Sequence, residues 1–264
     1  MFEFCTPAHG DALLDQMARH RSVRDFQPEP VAEQDILRAV ETAQSAATSS
    51  ALQGYTLFRV RNDAHREQLV DLCGGQPWIR SSGAFFCLCI DTRRWDQAAR
   101  LHELPLEENF ESFLLGALDT ALFAQNLALA FESLGYGTCF IGGLRNRLPE
   151  VDRLLEVPPR VMPLFGLCVG RPASDPGQRP RLAPSAVLQD GVWASDQEVR
   201  GQVAEYDQRM RDYYERRGKP GYDWSTGAAK KFRTPLRPDL PAYLEAKGAR
   251  LGPSRPTFGP ADPL

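Results

Sequence analysis

Cationic and hydroxyl-bearing side chains lie close together in two short segments of the sequence. His20 and Ser22 occur in the first segment, and Arg179 and Arg181 occur in the second. A phosphate group binds where such donors converge, because its oxygens accept strong, charge-assisted hydrogen bonds. The two segments would supply a phosphate site if the fold brought them together. Each also has a simpler interpretation on its own, as cations favoured at a helix C-terminus or as solvated loop charges.

Sequence signatures of several other chemistries are absent. The sequence contains no G-x-x-x-x-G-K-[ST] motif, which would indicate a P-loop, and no G-x-S-x-G motif, which would indicate a nucleophile elbow. Gly135 and Gly137 lack a third glycine and stand between a predicted helix and a predicted strand, the reverse of a dinucleotide-binding fingerprint. The four histidines are widely spaced, so no metal site is expected. An enzyme that lacks these motifs can still perform chemistry through a bound cofactor.

A glycine pair offers a surface for a flat cofactor. Gly142 and Gly143 follow the apolar residues Phe140 and Ile141. A backbone without side chains can approach a ring closely and point an amide N–H at it. An ordinary tight turn is the alternative interpretation of the same pair.

Apolar periodicity predicts the elements that must position these residues. Helices are expected at Asp11–Arg19, Glu33–Ala47, His65–Cys73, Glu107–Leu134, Glu150–Leu155 and about Gln197–Arg217, and strands at Tyr55–Val60, Ala84–Asp91, Tyr136–Ile141 and Met162–Val169. The second helix is expected to present one apolar face formed by Ile36, Leu37, Val40, Ala43 and Ala47. The strand from Ala84 is almost wholly apolar and is expected to be buried on both faces. This order of elements predicts an α+β fold.

Composition narrows the class of protein further. The 264 residues carry a net charge of −3, which gives no electrostatic reason to expect nucleic acid or an anionic membrane as a partner. No uninterrupted apolar stretch is long enough to span a bilayer, and the first residues do not resemble a signal peptide. The six cysteines form no C-x-x-C pair and are expected to be reduced, buried thiols. A cytoplasmic protein is therefore expected.

One large domain is expected over residues 1–250. It includes a charged C-terminal excursion over about 171–235, which begins where the sequence becomes rich in proline and arginine. Residues 251–264 are dominated by proline and glycine and are predicted to form a disordered tail.

Four segments taken in order resemble one protein family. They are His20–Phe26, Thr48–Gln53, Ser133–Asn146, and Pro163–Gly170 followed by Arg179–Leu182. Their order and spacing are similar to the group A, oxygen-insensitive nitroreductases and the related NADPH-flavin oxidoreductases, from about Gln16 to about Tyr243. The resemblance implies a nitroreductase-like fold, with a central, mostly antiparallel sheet flanked by helices, in an obligate homodimer.

The resemblance also implies bound FMN and assigns residues to it. The implied contacts are His20, Arg21, Ser22, Val23, Arg24, Thr48, Ser50, Gln76, Phe140, Ile141, Gly142, Gly143, Arg179 and Arg181. His20, Ser22 and the two arginines of the second segment would hold the phosphate. Arg24 would reach the ribityl chain and the pyrimidine edge, where a unit charge at roughly 4 Å is worth about 4 kcal/mol before desolvation costs. Thr48 and Ser50 would come from the partner subunit.

A basic run after the charged helix is the expected NADPH site. Arg217 matches a family position that binds the 2′-phosphate, but the loop beyond it is shorter than in relatives and lacks their second arginine, which leaves Lys219 as the nearby substitute. Lysine gives charge without bidentate geometry, so a weaker preference for NADPH over NADH is expected. Solvated cations at a helix end are the alternative interpretation.

The implied activity is a two-electron, ping-pong transfer from NADPH through FMN to a small acceptor such as a nitroaromatic, a quinone or a flavin. The reactive centre would be flavin N5, with no catalytic side chain. Ala51 stands where some relatives carry a bulky aromatic, which predicts a roomier acceptor pocket. Two alternatives stay open: a flavin reductase that supplies free reduced FMN to a partner, and a flavin-binding protein without turnover.

Overall fold

A computed structural model describes residues 7–252, so almost all of the predicted tail at 251–264 lies outside the described residues. The helices are α1 Pro7–Ala18, α2 Glu33–Ala43, α3 Asp63–Leu72, α4 Trp78–Ser81, α5 Arg93–Leu101, α6 Phe110–Ser133, α7 Leu148–Leu155, α8 Asp196–Glu215, α9 Trp224–Lys231 and α10 Leu240–Ala246. The strands are β1 Tyr55–Arg59, β2 Ala84–Asp91, β3 Gly137–Ile141 and β4 Val161–Gly170. Short 3-10 turns cover Ser49–Ala51, Gly142–Asn146 and Pro184–Ala186.

The four strands form one sheet in the order β1-β2-β4-β3, and each neighbouring pair is antiparallel. All eight residues of β2 are buried, as predicted, because apolar clusters cover both of its faces. Phe85 and Cys87 point into one cluster, while Phe86 and Leu88 point into the other. Helices flanking an antiparallel sheet confirm the predicted α+β fold.

Helix α6 supplies much of the second cluster. A capping box between Asn109 and Ser112 starts the helix at Phe110 rather than at the predicted Glu107. Its buried residues pack on α2 and the sheet, but Leu118 and Leu122 are each 48% exposed. By length and composition alone α6 could cross a membrane, although Asp119, Gln125 and Asn126 interrupt its apolar sequence. Its packing on the sheet is that of a core helix.

Helix α2 is shorter than predicted and buries fewer of the expected residues. It ends at Ala43, so Ala47 lies beyond it and is exposed. Leu37 is 70% exposed, so its assignment to the buried face was wrong. At about 100° per residue, Leu37 lies a quarter-turn from Ile36 on the helix surface, at the margin of the apolar stripe.

The other boundaries follow local capping chemistry. The side chain of Asn62 accepts hydrogen bonds from the amides of Ala64 and His65 and so starts α3. Gly74 and Gly75, just after α3, have positive φ angles of 85° and 75°, which end the helix. A capping box between Ser195 and Glu198 starts α8. Four further helices, α4, α5, α9 and α10, have no counterpart in the prediction.

The chain divides into two compact units. The first runs up to Pro176 and resumes at Asp239, and it contains the sheet. The second is Gly177–Pro238 and contains α8 and α9. Within the second unit, the Asp207 carboxylate accepts hydrogen bonds from the backbone N–H and the hydroxyl of Ser225, which joins the two helices.

The five cysteines within the described residues are free and buried, as predicted: Cys73, Cys87, Cys89, Cys139 and Cys168. Burial raises the pKa of Cys73 to about 12. A thiol with such a pKa stays protonated at neutral pH and has little nucleophilic character.

Candidate functional site

The segment that follows α1 runs alongside β3, which is one of the two edge strands of the sheet. The amide of Val23 donates to the carbonyl of Thr138 at 2.9 Å, and Ser22 forms a parallel bridge with the same residue. Gly137 permits this approach, because a Cβ there would lie 2.6 Å from Val23 Cγ2. The Val23 side chain is buried in the core, so its backbone is the part left for a ligand.

His20 is held by the carboxylate of Glu132, which lies outside the four segments that carry the family resemblance. Its Nδ1 lies 2.7 Å from Glu132 Oε1, the atom that also accepts a hydrogen bond from the Thr138 hydroxyl at 2.9 Å. The Glu132 side chain is 13% exposed. With the proton on Nδ1, this contact fixes the ring orientation and directs Nε2 away from Glu132. Glu132 directly precedes one of the recognised segments, but a single acidic residue at a helix end gives no signal of this role.

Arg21 lies at the rim of a cavity of about 460 Å³ that is also lined by His20, Val23 and Glu132. Its Nε forms an ion pair with Asp175 at 2.8 Å, and its Nη1 donates to the carbonyl of Arg19. The charge of Arg21 is therefore shared with a carboxylate of the same unit. This cavity borders the predicted phosphate-binding residues of the first segment.

Arg24 and Gln76 make separate contacts close to the end of β3. The Arg24 guanidinium lies 5.6 Å from the ring centre of Trp78, within cation–π range. The Gln76 amide donates to the carbonyl of Cys73 at 2.8 Å, and a Cβ on Gly143 would come within 2.5 Å of the same amide nitrogen. Gly143 is therefore needed for packing against the end of α3.

Gly142 has a different environment from its neighbour. Among the described residues outside its immediate chain neighbours, a Cβ there would meet a single atom within 4 Å, Arg145 Nη2 at 3.6 Å. Phe140 is 36% exposed and lies edge-on to Phe165, with ring centres 5.5 Å apart. These residues line a cavity of about 340 Å³. Gly142 is thus the member of the pair whose backbone has open space beside it.

Thr48 and Ser50 lie on a separate loop, next to α6. Ser50 adopts a left-handed conformation, with φ 48° and ψ 32°. Buried Asp119 of α6 accepts hydrogen bonds from the amides of Ser49 and Gly54, at the two ends of this loop. No motif in the sequence indicates a role for Asp119.

Arg179 and Arg181 belong to the second unit and are exposed. The Arg181 guanidinium donates to the carbonyl of Arg179 at 3.0 Å, and the Arg179 guanidinium lies 5.9 Å from the ring centre of Tyr214. Arg217, just beyond α8 in the same unit, lies 5.3 Å from the ring centre of Tyr213. Two of the predicted cations, Arg179 and Arg217, thus lie near the rings of adjacent tyrosines of α8.

Lys219 follows in the same turn. Its amide donates to the carbonyl of Tyr214 at 2.9 Å, and its side chain is exposed. Within residues 7–252, no group of three or more His, Cys, Asp or Glu side chains is placed to hold a metal ion.

Comparisons with known proteins identify the family of the chain. The Nitroreductase family model matches residues 17–171, and the model of the Nitroreductase family C-terminal domain matches residues 179–251. The chain is 36% identical to a Bacillus subtilis protein named FMN reductase (NADPH), over 89% of this chain and 97% of that protein. It is also 36% identical to the oxygen-insensitive NADPH nitroreductase of Salmonella typhimurium, with the same two coverages.

Solved structures give the same result at the level of the fold. The structure of B. megaterium NfrA1 superposes with a TM-score of 0.87 at 36% identity, over 90% of this chain and 98% of that one. The first family match alone covers more than half of the chain. The chain belongs to the nitroreductase family.

Proposed function

We propose that this protein is an FMN-dependent NADPH oxidoreductase that reduces a small acceptor such as a nitroaromatic, a quinone or a flavin. The observation that carries the proposal is the alignment of residues 20–24 beside β3, which brings His20 and Arg24 to the strand that ends just before Gly142. The names of the two 36% identical relatives, an FMN reductase and a nitroreductase that use NADPH, support it.

The residues of the first unit fit FMN in their chemistry. Cationic and hydroxyl donors suited to a phosphate lie at one end of the group, in His20 and Ser22. Gly142, with open space beside its backbone, lies at the other end. The two cavities border these two ends. The family resemblance alone assigns Arg179 and Arg181 to the phosphate.

Each residue would have a binding or electrostatic role. FMN, when bound, would supply the two-electron chemistry between NADPH and the acceptor. His20, oriented by Glu132, would bind the phosphate through Nε2. Arg24 would place its positive charge where the reduced ring becomes negative, and the backbone at Gly142 would point an N–H at the ring. No side chain is assigned as an acid or base.

The same site would be completed by a second copy of the chain. Leu118 and Leu122 form an exposed apolar stripe one turn apart on α6, and the loop with Thr48 and Ser50 lies beside that helix. An apolar stripe on a long helix favours association. A homodimer across α6 would carry this loop to the partner's cofactor, over an interface of roughly 2,000 Å² or more in total.

NADPH would be recognised by Arg217 and Lys219, which are exposed at the end of α8. A flavin reductase that releases reduced FMN to another protein is the second candidate, favoured by the name of the Bacillus subtilis relative. The KM for free FMN as acceptor separates the two. The buried free thiols agree with the expectation that the protein acts in the cytoplasm.

The proposal is tested on protein purified under native conditions. It should be yellow, release FMN on denaturation, and run as a dimer in light scattering at micromolar concentration. Colourless protein that takes up no added FMN contradicts the cofactor assignment. A flavin-loaded monomer contradicts the shared site while leaving the cofactor assignment intact.

A further inference from the structure

The loop that carries Thr48 and Ser50 adopts a conformation that its own residues disfavour. Ser50, Ala51 and Gln53 have φ angles of 48°, 56° and 49°, in the left-handed region. In this region the Cβ of an L-residue crowds its own backbone, so three such residues in a span of four are costly. A loop of this kind keeps its shape when neighbouring structure holds it.

Asp119 holds both ends of the loop. Its Oδ1 accepts the amide of Ser49 at 2.9 Å, and its Oδ2 accepts the amide of Gly54 at 3.0 Å. The carboxylate is completely buried on α6, the helix that also carries the exposed Leu118 and Leu122. Hydrogen bonds from amides to a buried carboxylate are strong, because the acceptor is charged and shielded from water.

Two further contacts hold the middle and the end of the same loop. The Trp95 indole N–H donates to the carbonyl of Leu52 at 2.8 Å. Gly54 packs so closely that a Cβ there would lie 2.6 Å from the Trp95 ring and 3.1 Å from the Cα of Gly116 on α6. The loop is therefore anchored to α6 and α5 at three backbone positions.

We propose that Asp119 is a positioning residue of the flavin site, which holds Thr48 and Ser50 in the conformation that contacts FMN across the subunit interface. The proposal rests on the proposed function, because it takes these two residues as cofactor contacts. Asp119 itself is buried beneath the loop and would not touch the cofactor.

Asp119→Asn is the direct test. Asparagine keeps the shape of the side chain but faces one of the two backbone donors with its own N–H₂ group, so one anchor is lost. Trp95→Phe removes the independent anchor at Leu52 and keeps an aromatic ring in place. Asp152→Asn is the matched control: Asp152 accepts the Tyr243 hydroxyl at 2.7 Å and pairs with Lys247 at 2.6 Å, on the contact between α7 and α10.

Three quantities are measured on each variant: the Kd for FMN by fluorescence titration of the apoprotein, the Tm, and hydrogen–deuterium exchange of the peptide covering residues 44–57. We expect Asp119→Asn to raise the Kd for FMN about tenfold and Trp95→Phe to raise it about threefold. Both should speed exchange in that peptide while leaving the oligomeric state in light scattering unchanged. Asp152→Asn should lower the Tm and change neither the Kd nor the exchange of this loop.

The outcomes separate this proposal from the proposed function. Variants that bind FMN as tightly as the wild type overturn the positioning role, as does weakened binding that occurs only with loss of the dimer. Unchanged exchange in Asp119→Asn shows that the carboxylate does not hold the loop, which also overturns it. Wild-type protein that fails to bind FMN overturns the proposed function and this inference together. If Asp119→Asn does not fold, Trp95→Phe decides the question.

Discussion

The two glycines after β3 should respond to the same substitution with different effects on stability. In Gly143→Ala, the new methyl would lie within 2.5 Å of Gln76 Nε2 and closer still to the carbonyl oxygen of Cys73. The carbonyl is backbone at the end of α3 and cannot rotate aside, so the 142–146 turn must shift. Overpacking of this kind costs about 1–3 kcal/mol of unfolding free energy.

Gly142→Ala meets open space instead, and its φ is outside the left-handed region that would strain an alanine. Because alanine has less backbone freedom than glycine in the unfolded chain, Gly142→Ala should leave the free energy of unfolding unchanged or raise it by up to about 1 kcal/mol. Its methyl would, however, stand where the proposed function places the flavin ring. We expect the Kd for FMN to rise about tenfold, which corresponds to about 1.4 kcal/mol.

Urea denaturation of the FMN-free proteins measures the free energy of unfolding, and fluorescence titration with FMN measures the Kd for FMN. The two variants should differ in unfolding free energy by about 1 kcal/mol or more, with Gly143→Ala the less stable. Equal stabilities would refute the packing argument for Gly143. Wild-type FMN affinity in Gly142→Ala would refute the assignment of that backbone to the flavin.

Three further substitutions test the predicted binding residues. Glu132→Gln removes the carboxylate that orients His20, and we expect FMN binding to weaken by about 1 kcal/mol in the same titration; an unchanged Kd would show that this contact is structural. Arg181→Ala removes a cation that we propose binds the phosphate, and we expect FMN binding to weaken by about 1.5–3 kcal/mol; unchanged FMN affinity would show that Arg181 is not a phosphate contact. Arg217→Ala should lower kcat/KM for NADPH more than for NADH, with Lys219 retaining part of the preference; equal efficiencies for both nucleotides in the wild type would assign the basic run to a solvated helix end.

The sequence predicted the parts of the fold that local patterns determine. The strand Ala84–Asp91 has the predicted bounds, because an unbroken apolar run in a mixed fold can only be buried between layers. The family and the α+β fold are confirmed as well. Helix α5 was not predicted, since its nine residues are mostly polar and it contributes little to the core.

The parts that the sequence could not give are contacts between distant residues. Glu132 orients His20 across 112 residues, and Asp119 holds Ser49 across 70. Both are single acidic residues on one long apolar helix, where sequence shows a break in hydrophobicity and no partner. Gly143 was assigned to the cofactor together with Gly142, whereas its neighbour in the fold is the end of α3.

Anaerobic addition of NADPH to the purified, FMN-loaded protein tests the central claim most directly. We expect the flavin absorption near its visible maximum to bleach within the mixing time or shortly after, and to return when a quinone or nitroaromatic is added. Bound flavin that stays oxidised with excess NADPH would contradict the proposed oxidoreductase and leave a flavin-binding protein without turnover.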